Sequence, residues 1–155
     1  MLTKVKKATR KPSTGRYAIV ASTYNARFVD AMLKGAEKEL LAAGASSIQV
    51  VRVPGAFEIP VVAARLLRRG TPAVDAILCL GVIIRGETAH AEHIGGGVTQ
   101  ALIRLQIDYG VPLVHEVLLL ENTAQAEKRC LDPKFNRGRE AAQTAIEMVR
   151  LLAQL

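Results

Sequence analysis

Gly81-Val-Ile-Ile-Arg-Gly86-Glu87-Thr88 has the glycine spacing of a nucleotide-binding phosphate loop. Such a loop needs a lysine where Glu87 stands, and a carboxylate there repels the phosphates the lysine would hold, so nucleotide hydrolysis is set aside. A simpler site survives: backbone N–H groups at a helix start, helped by Thr88, can hold one phosphate. The plainer reading of the same residues is a strand-to-helix turn in which Gly86 relieves backbone strain. Glu87, His90 and His93 recur every third residue and would share a helical face, but the pattern is not that of zinc hydrolases and offers no fourth ligand, so no metal is expected. His90 alone suits proton transfer near neutral pH, although a surface histidine is the commoner fate of such a residue. Glu92 either orients it or simply favours the helix N-terminus. Arg129, Lys134, Arg137 and Arg139 gather around Pro133, as a solvated loop or as an anion site. Arg129 is the best anion ligand of the four, because a helix end would hold its planar fork in place.

These groups can meet only if the backbone brings their loops to one place. Tyr17–Ser22, Ile48–Val53, Ala76–Ile84 and Val111–Leu120 read as strands, mostly continuous apolar runs of the kind buried on both faces of a parallel sheet. Helices alternate with them. The first has Asn25 as its N-cap, Phe28, Val29, Met32, Leu33, Ala36 and Leu40 on one face, and Gly44 at its close. A second opens at Pro60 and runs to Arg69; a third carries Val98, Leu102, Leu105 and Tyr109 and ends at Gly110. Asn122 with Gln125 resembles a capping box for a short helix through Arg129, and the last helix carries Ala142, Ala145, Ile146, Val149 and Leu152. Gly95-Gly96-Gly97 interrupts the third helical pattern: either that helix starts later, or backbones approach closely there. Four alternations of strand and helix give an α/β three-layer sandwich, with the post-strand loops on one edge where ligands of open α/β sheets bind. Those loops are Thr23-Tyr24-Asn25, Pro54 to Glu58, Arg85 to His93 and Glu121 to Thr123.

Composition agrees with a single enzyme-sized domain. The 155 residues are half apolar with 4% aromatic and no Trp, which excludes disorder and argues against a stacking-based single-strand binder. The net charge of +7 is local: Lys4, Lys6, Lys7, Arg10, Lys11 and Arg16 fall in residues 1–16 without an acid. With those six removed, fifteen cations face fourteen acids, so residues 1–16 are expected to be a basic arm and residues 17–155 the domain, with nucleic acid an unfavoured partner. No apolar stretch approaches the roughly 20 residues that span a bilayer, the start lacks the apolar core of a secretory signal, and Cys79 and Cys130 have no disulfide-framework or CxxC spacing, so a cytoplasmic location is expected.

From about Tyr17 to Leu152 the chain resembles the lumazine synthases of riboflavin biosynthesis. Val53-Pro-Gly-Ala-Phe-Glu-Ile-Pro60 is similar to the family's ribityl-binding turn, Gly81 through His90 to its phosphate loop and catalytic histidine, and Asn136-Arg-Gly-Arg-Glu-Ala-Ala142 to the start of its last helix. Glu121-Asn122 through Gln125-Ala126 to Arg129 is a further match. The resemblance implies a flavodoxin-like fold, a four-stranded parallel sheet with helices on both faces. It implies a transferase that condenses 5-amino-6-ribitylaminouracil with 3,4-dihydroxy-2-butanone 4-phosphate to 6,7-dimethyl-8-ribityllumazine, without a cofactor because the substrate supplies the amine. By the same resemblance His90 is catalytic; Tyr24 stacks on the pyrimidinedione beside Asn25; Ala56, Phe57 and Glu58 hold the ribityl chain; Ile83 and Ile84 line the ring pocket. Gly86, Glu87, Thr88 and Arg129 bind phosphate. His115 stands where the family places an aromatic reaching a neighbouring subunit's pocket, and Arg137 replaces a lysine. Partners follow too: a homopentamer, or a shell of twelve, with each site between subunits. Two other readings share these features, a basic-tailed cage or nucleic-acid module without catalysis, and the related riboflavin synthase that dismutates lumazine. Retention of both His90 and Arg129 favours the condensing enzyme over a shell.

Overall fold

A computed structural model describes residues 15–155. Four strands, β1 (Arg16–Ser22), β2 (Ser47–Val53), β3 (Ala76–Ile84) and β4 (Leu113–Leu120), pair in the order β2-β1-β3-β4, every pair parallel. The helices are α1 (Ala26–Ala42), α2 (Ile59–Arg68), α3 (His90–Tyr109), α4 (Thr123–Ala126) and α5 (Arg137–Leu152). The expected three-layer sandwich is present. Alternation along each strand splits the core in two. Tyr17, Ile19, Leu78, Leu80 and Val82 pack under α1 and α5, while Ala18, Val20, Ile77, Cys79 and Val117 pack under α2 and α3. β1 and β3 are central and almost wholly buried, which is why their sequences are unbroken apolar runs; β2, at an edge, is half exposed.

Several boundaries differ from expectation for identifiable reasons. β1 starts at Arg16, whose backbone N and side-chain Nε donate to the Asp75 carboxylate at 2.7 and 3.3 Å, so that residue of the expected arm belongs to the sheet. Residues 1–14 lie outside the described residues. β4 starts at Leu113 rather than Val111, since Pro112 has no N–H to give the ladder and only its carbonyl is used, by Ile77 N. Gly44 and Gly110 do close α1 and α3, with φ of 81° and 61°, the left-handed conformation glycine takes at least cost. Helix α3 does not start late: it begins at His90 and runs through the glycine triplet. Nor does the chain itself crowd those glycines. A Cβ on Gly95 or Gly97 would make ordinary contacts of 3.6 and 3.7 Å with Leu119 and Phe57, and one on Gly96 would meet nothing within 4 Å.

Helices α1 and α5 touch most closely. Asn136 is buried between them, accepting from Arg139 N at 2.9 Å to cap α5 and donating through Nδ2 to Cys130 O at 2.7 Å and Ala31 O at 3.1 Å. One side chain thus starts α5, holds it to α1, and fixes the turn that carries Arg129.

Candidate active site

Parallel strands put all four post-strand loops at one edge of the sheet, and hydrogen bonds knit those loops together. Thr23 N and Tyr24 N donate to Val53 O at 2.7 Å and Pro54 O at 3.0 Å, so the β1 and β2 loops move as one. Asn25 occupies the N-cap position of α1 with φ 57°, but its side chain does not cap. Instead Nδ2 donates to Val82 O at 2.8 Å, tying the β1 loop to β3 and leaving Tyr24 exposed at the rim. Residues Ala56–Glu58 form a short 3-10 turn, held by Gly55 N donating to Glu58 Oε2 at 3.0 Å, and Ala56 packs over Gly81 of β3, where an added Cβ would come within 3.3 Å of it. Phe57, on the same turn, is 63% exposed, an unusual position for a large apolar ring. Ile83 and Ile84, successive strand residues, point oppositely: Ile83 joins the α2–α3 layer and Ile84 the α1–α5 layer.

Between β3 and α3 the backbone N–H groups of Gly86, Glu87 and Thr88 make no loop or cap hydrogen bond among the described residues. The Thr88 hydroxyl accepts from His90 N at 3.4 Å, which leaves its own proton to donate outward. Such a cluster of free donors before a 20-residue helix suits an anion. Gly86 is not in the left-handed region, so the strain-relief reading of that glycine does not hold. His90 is the first residue of α3, exposed, and its ring makes no hydrogen bond among the described residues. Glu92 does not orient it: residues two apart on a helix face different ways, and the Glu92 carboxylate pairs with Arg85, which also reaches Glu121 at 3.1 Å. No group of three or more metal-ligating side chains occurs among the described residues.

Arg129 lies where an α-helix was expected, but α4 ends at Ala126 and the chain widens into a π turn over Glu127–Leu131. Asn122 Oδ1 accepts from Gln125 N at 3.0 Å as a cap should, while the Gln125 side chain reaches back to Glu121 N at 2.9 Å, one residue before the usual partner. The Arg129 guanidinium is exposed and has no carboxylate partner among the described residues.

His115 sits elsewhere, and Arg137 lies near Arg129. Both lie on the edge strand β4 or against it, and His115 is five residues before its carboxyl end, roughly 16 Å back at strand spacing. The Thr99 hydroxyl has one proton, and its geometry spends it on Gly95 O at 2.8 Å, so His115 Nε2 is the donor across the 2.8 Å to Thr99. Nδ1 lies 3.4 Å from Val117 N, from which it accepts. On the opposite face Arg137 grips the Glu116 carboxylate through Nε and Nη2 at 3.2 and 3.3 Å, and Glu140 through Nη1 at 2.8 Å. Burial pushes the Glu116 carboxyl above the usual range, against the downward pull of Arg137.

A family model described as 6,7-dimethyl-8-ribityllumazine synthase matches residues 14–153. The 6,7-dimethyl-8-ribityllumazine synthase of Stenotrophomonas maltophilia (strain K279a) is 45% identical to this chain over 148 residues, covering 94% of each. That of Xanthomonas campestris pv. campestris (strain B100) is 42% identical over 147 residues, again covering 94% of each. The chain belongs to the 6,7-dimethyl-8-ribityllumazine synthase family. Membership makes it a transferase of riboflavin biosynthesis, and no helix among the described residues is long and apolar enough to cross a membrane. Of the residues that the lumazine synthase resemblance singles out, the fold gathers Tyr24, Asn25, Ala56, Phe57, Glu58, Ile83, Ile84, Gly86, Glu87, Thr88 and His90 at the loop edge, with Arg129 on the loop after β4. His115 stays apart, while Arg137, on the other face of β4, acts with Arg129 on the Glu116 carboxyl and the Cys130 thiol. Arg85 and Glu121 were not singled out; the signal available was one arginine and two carboxylates in loops that parallel strands must bring to one edge.

Proposed function

We propose that this lumazine synthase condenses 5-amino-6-ribitylaminouracil with 3,4-dihydroxy-2-butanone 4-phosphate at the carboxyl edge of its sheet, with His90 as its proton-transfer residue. The observation that carries the reading is the juxtaposition, within five residues, of free N–H donors at Gly86, Glu87 and Thr88 and a free imidazole at His90. The phosphate of the ketone rests on those donors and on Arg129, whose planar fork matches phosphate oxygens. Tyr24 stacks on the pyrimidinedione, placed by the Asn25 bond to Val82; Ala56, Phe57 and Glu58 take the ribityl chain; and the backbone of Ile83 and Ile84 lines the ring pocket, since only one of the two side chains can face it.

The substrate's 5-amino group attacks the ketone carbonyl, and loss of water gives the imine. Proton removal beside the imine expels phosphate; the enol tautomerises; the ribitylamino nitrogen closes the ring on the remaining carbonyl, and a second water leaves. Each step moves protons between carbon, nitrogen and oxygen, and no step demands a metal, a nicotinamide or a lysine. His90 serves these transfers by taking a proton at one stage and returning it at another. Holding two reactants in line supplies the rest of the acceleration.

The same reading gives His115 to the site of an adjacent subunit and keeps Arg137 with Arg129. His115 stands on the edge strand β4, and Phe57, Val61, Ile103, Ile107 and Leu119 are apolar side chains at least one-third exposed, which fits burial between copies in a homopentamer, alone or in a shell of twelve.

Turnover of His90→Ala tests the assignment. The expected fall is roughly ten- to a hundredfold, at the lower end of general acid–base contributions, with KM for both substrates and the oligomer mass unchanged, and with His93→Ala costing much less. Equal damage at His90 and His93 would refute it.

A further inference from the structure

One guanidinium outside the residues assigned above joins the first turn of α3 to the loop after β4. Arg85 is the first residue after β3, and its backbone N donates to Leu120 O at 2.8 Å, carrying the β3–β4 pairing one step past the strands. Its Nε donates to the Glu121 carboxylate at 3.1 Å, in the loop that leads to Arg129, and its Nη1 pairs with Glu92 in the first turn of α3. Glu92 has an oxygen, Oε2, that is buried with no hydrogen-bond partner among the described residues, so Arg85 is its principal neutraliser. Because Glu92 and His90 face different sides of the helix, Arg85 grips one side of that turn and leaves the imidazole on the other.

Exposed ion pairs add little to fold stability, and these side chains are 37% to 58% exposed. Their placement makes better sense as control of the loop between them. Glu87 is one of the residues whose N–H groups suit a phosphate, and Glu92 and Glu121 lie in the turn and loop that Arg85 joins; one fixed cation holds those two carboxylates and offsets charge that would oppose an anion. The two pairs use different nitrogens of one plane. Lysine could supply the charge but not the angle between them.

We infer that Arg85 is a positioning residue for the reaction: its pairs with Glu92 and Glu121 fix the first turn of α3, and so His90, against the ends of β3 and β4. This rests on the reading of His90 as the proton-transfer group. The test is steady-state kinetics of Arg85→Met, Arg85→Lys and Glu92→Gln, each in the wild-type and the His90→Ala background, with oligomer mass and thermal midpoint recorded. Arg85→Met should lower kcat roughly tenfold in the wild-type background, as a small misplacement does, and less than twofold once His90 is gone, with the midpoint within a few degrees. Arg85→Lys should restore KM for the phosphorylated ketone but not kcat, which a purely structural ion pair would not separate. Glu92→Gln should repeat the dependence on His90, and decides the matter if the methionine variant does not fold. An equal loss of kcat with and without His90 would overturn the inference while leaving His90 catalytic. A His90→Ala enzyme as fast as wild type would overturn both.

Discussion

Gly138→Ala is the sharpest perturbation the fold offers, because what opposes the new methyl is backbone. A Cβ built on Gly138 would lie 1.9 Å from Met32 O, 2.4 Å from Met32 C and 2.6 Å from Met32 Cα. Unbonded carbon and carbonyl oxygen stay roughly 3.3 Å apart even in their closest favourable contacts, so α5 must withdraw from α1 by more than about 1 Å. That seam holds Met32, Ala36 and Leu40 against Ala141, Ala142 and Ala145, all buried, and opening it loosens each of those contacts. Overpacking usually costs about 1–3 kcal/mol; with a main chain as the obstacle, about 3 kcal/mol or more is expected here. Function should suffer separately. Asn136, two residues before Gly138, anchors Cys130 O in the turn bearing Arg129, so a displaced α5 moves the proposed phosphate ligand. Urea unfolding gives the first quantity from the shift in midpoint at constant slope, and KM for the phosphorylated ketone gives the second. A loss below about 1 kcal/mol would refute the packing argument, because no native-like arrangement of α1 and α5 accommodates the methyl at that cost.

Arg129→Lys keeps a cation but loses the two-pronged match to phosphate, so KM for the phosphorylated ketone should rise about tenfold or more while that for the ribityl substrate stays put; equal weakening of both would point to a folding defect. A Cβ on Gly86 meets nothing within 4 Å, so Gly86→Ala should change stability by less than about 0.5 kcal/mol. Its methyl nevertheless stands among the proposed phosphate donors, and inorganic phosphate should inhibit the variant several-fold less; undiminished inhibition would remove this loop from the site. The Cys79 thiol is wholly buried, and burial pushes it from 9.0 to about 12. As pH rises through 9 the unfolded chain therefore releases this proton while the folded chain keeps it, and between pH 8 and 10 the fold loses about 1.4 kcal/mol from this group alone; Cys79→Ala should flatten the decline in urea stability over that range by that amount, and an unaltered slope would place the loss elsewhere.

What the sequence reveals about this enzyme divides by the range of the interaction. The bounds of β3 follow from an apolar run that no polar residue interrupts, and the ends of α1 and α3 from glycines in the one conformation they favour. Parallel pairing follows from the same runs, and it puts the four loops on one edge, so the gathering of those loops is legible from pattern alone. Side-chain commitments are not. Asn25 has the residue type and place of a helix cap, yet its amide crosses to Val82, fifty-seven residues away. The helix expected to reach Arg129 gives way after Ala126 to a wider turn, whose Cys130 carbonyl accepts from Asn136, a partner six residues on that no local pattern announces.

The resemblance also names one residue, His115, that the chain does not unite with the others. His115 and Arg137 are each held by partners of their own, Thr99 with Val117 on one face of β4 and Glu116 with Glu140 on the other. No rotation of the His115 side chain carries it past the strand's remaining five residues to the donors before α3, whereas Arg137 shares the neighbourhood of Glu116 and Cys130 with Arg129. If His115 contacts substrate, that substrate lies in a different chain. The glycine triplet points the same way. Within the chain Gly96 is open, and nothing there explains why α3 gives up about 1 kcal/mol of helix propensity at each of three successive positions. A neighbour's surface laid against α3 would explain it, and the exposed Ile103 and Ile107, seven and eleven residues on, lie on the same side of that helix.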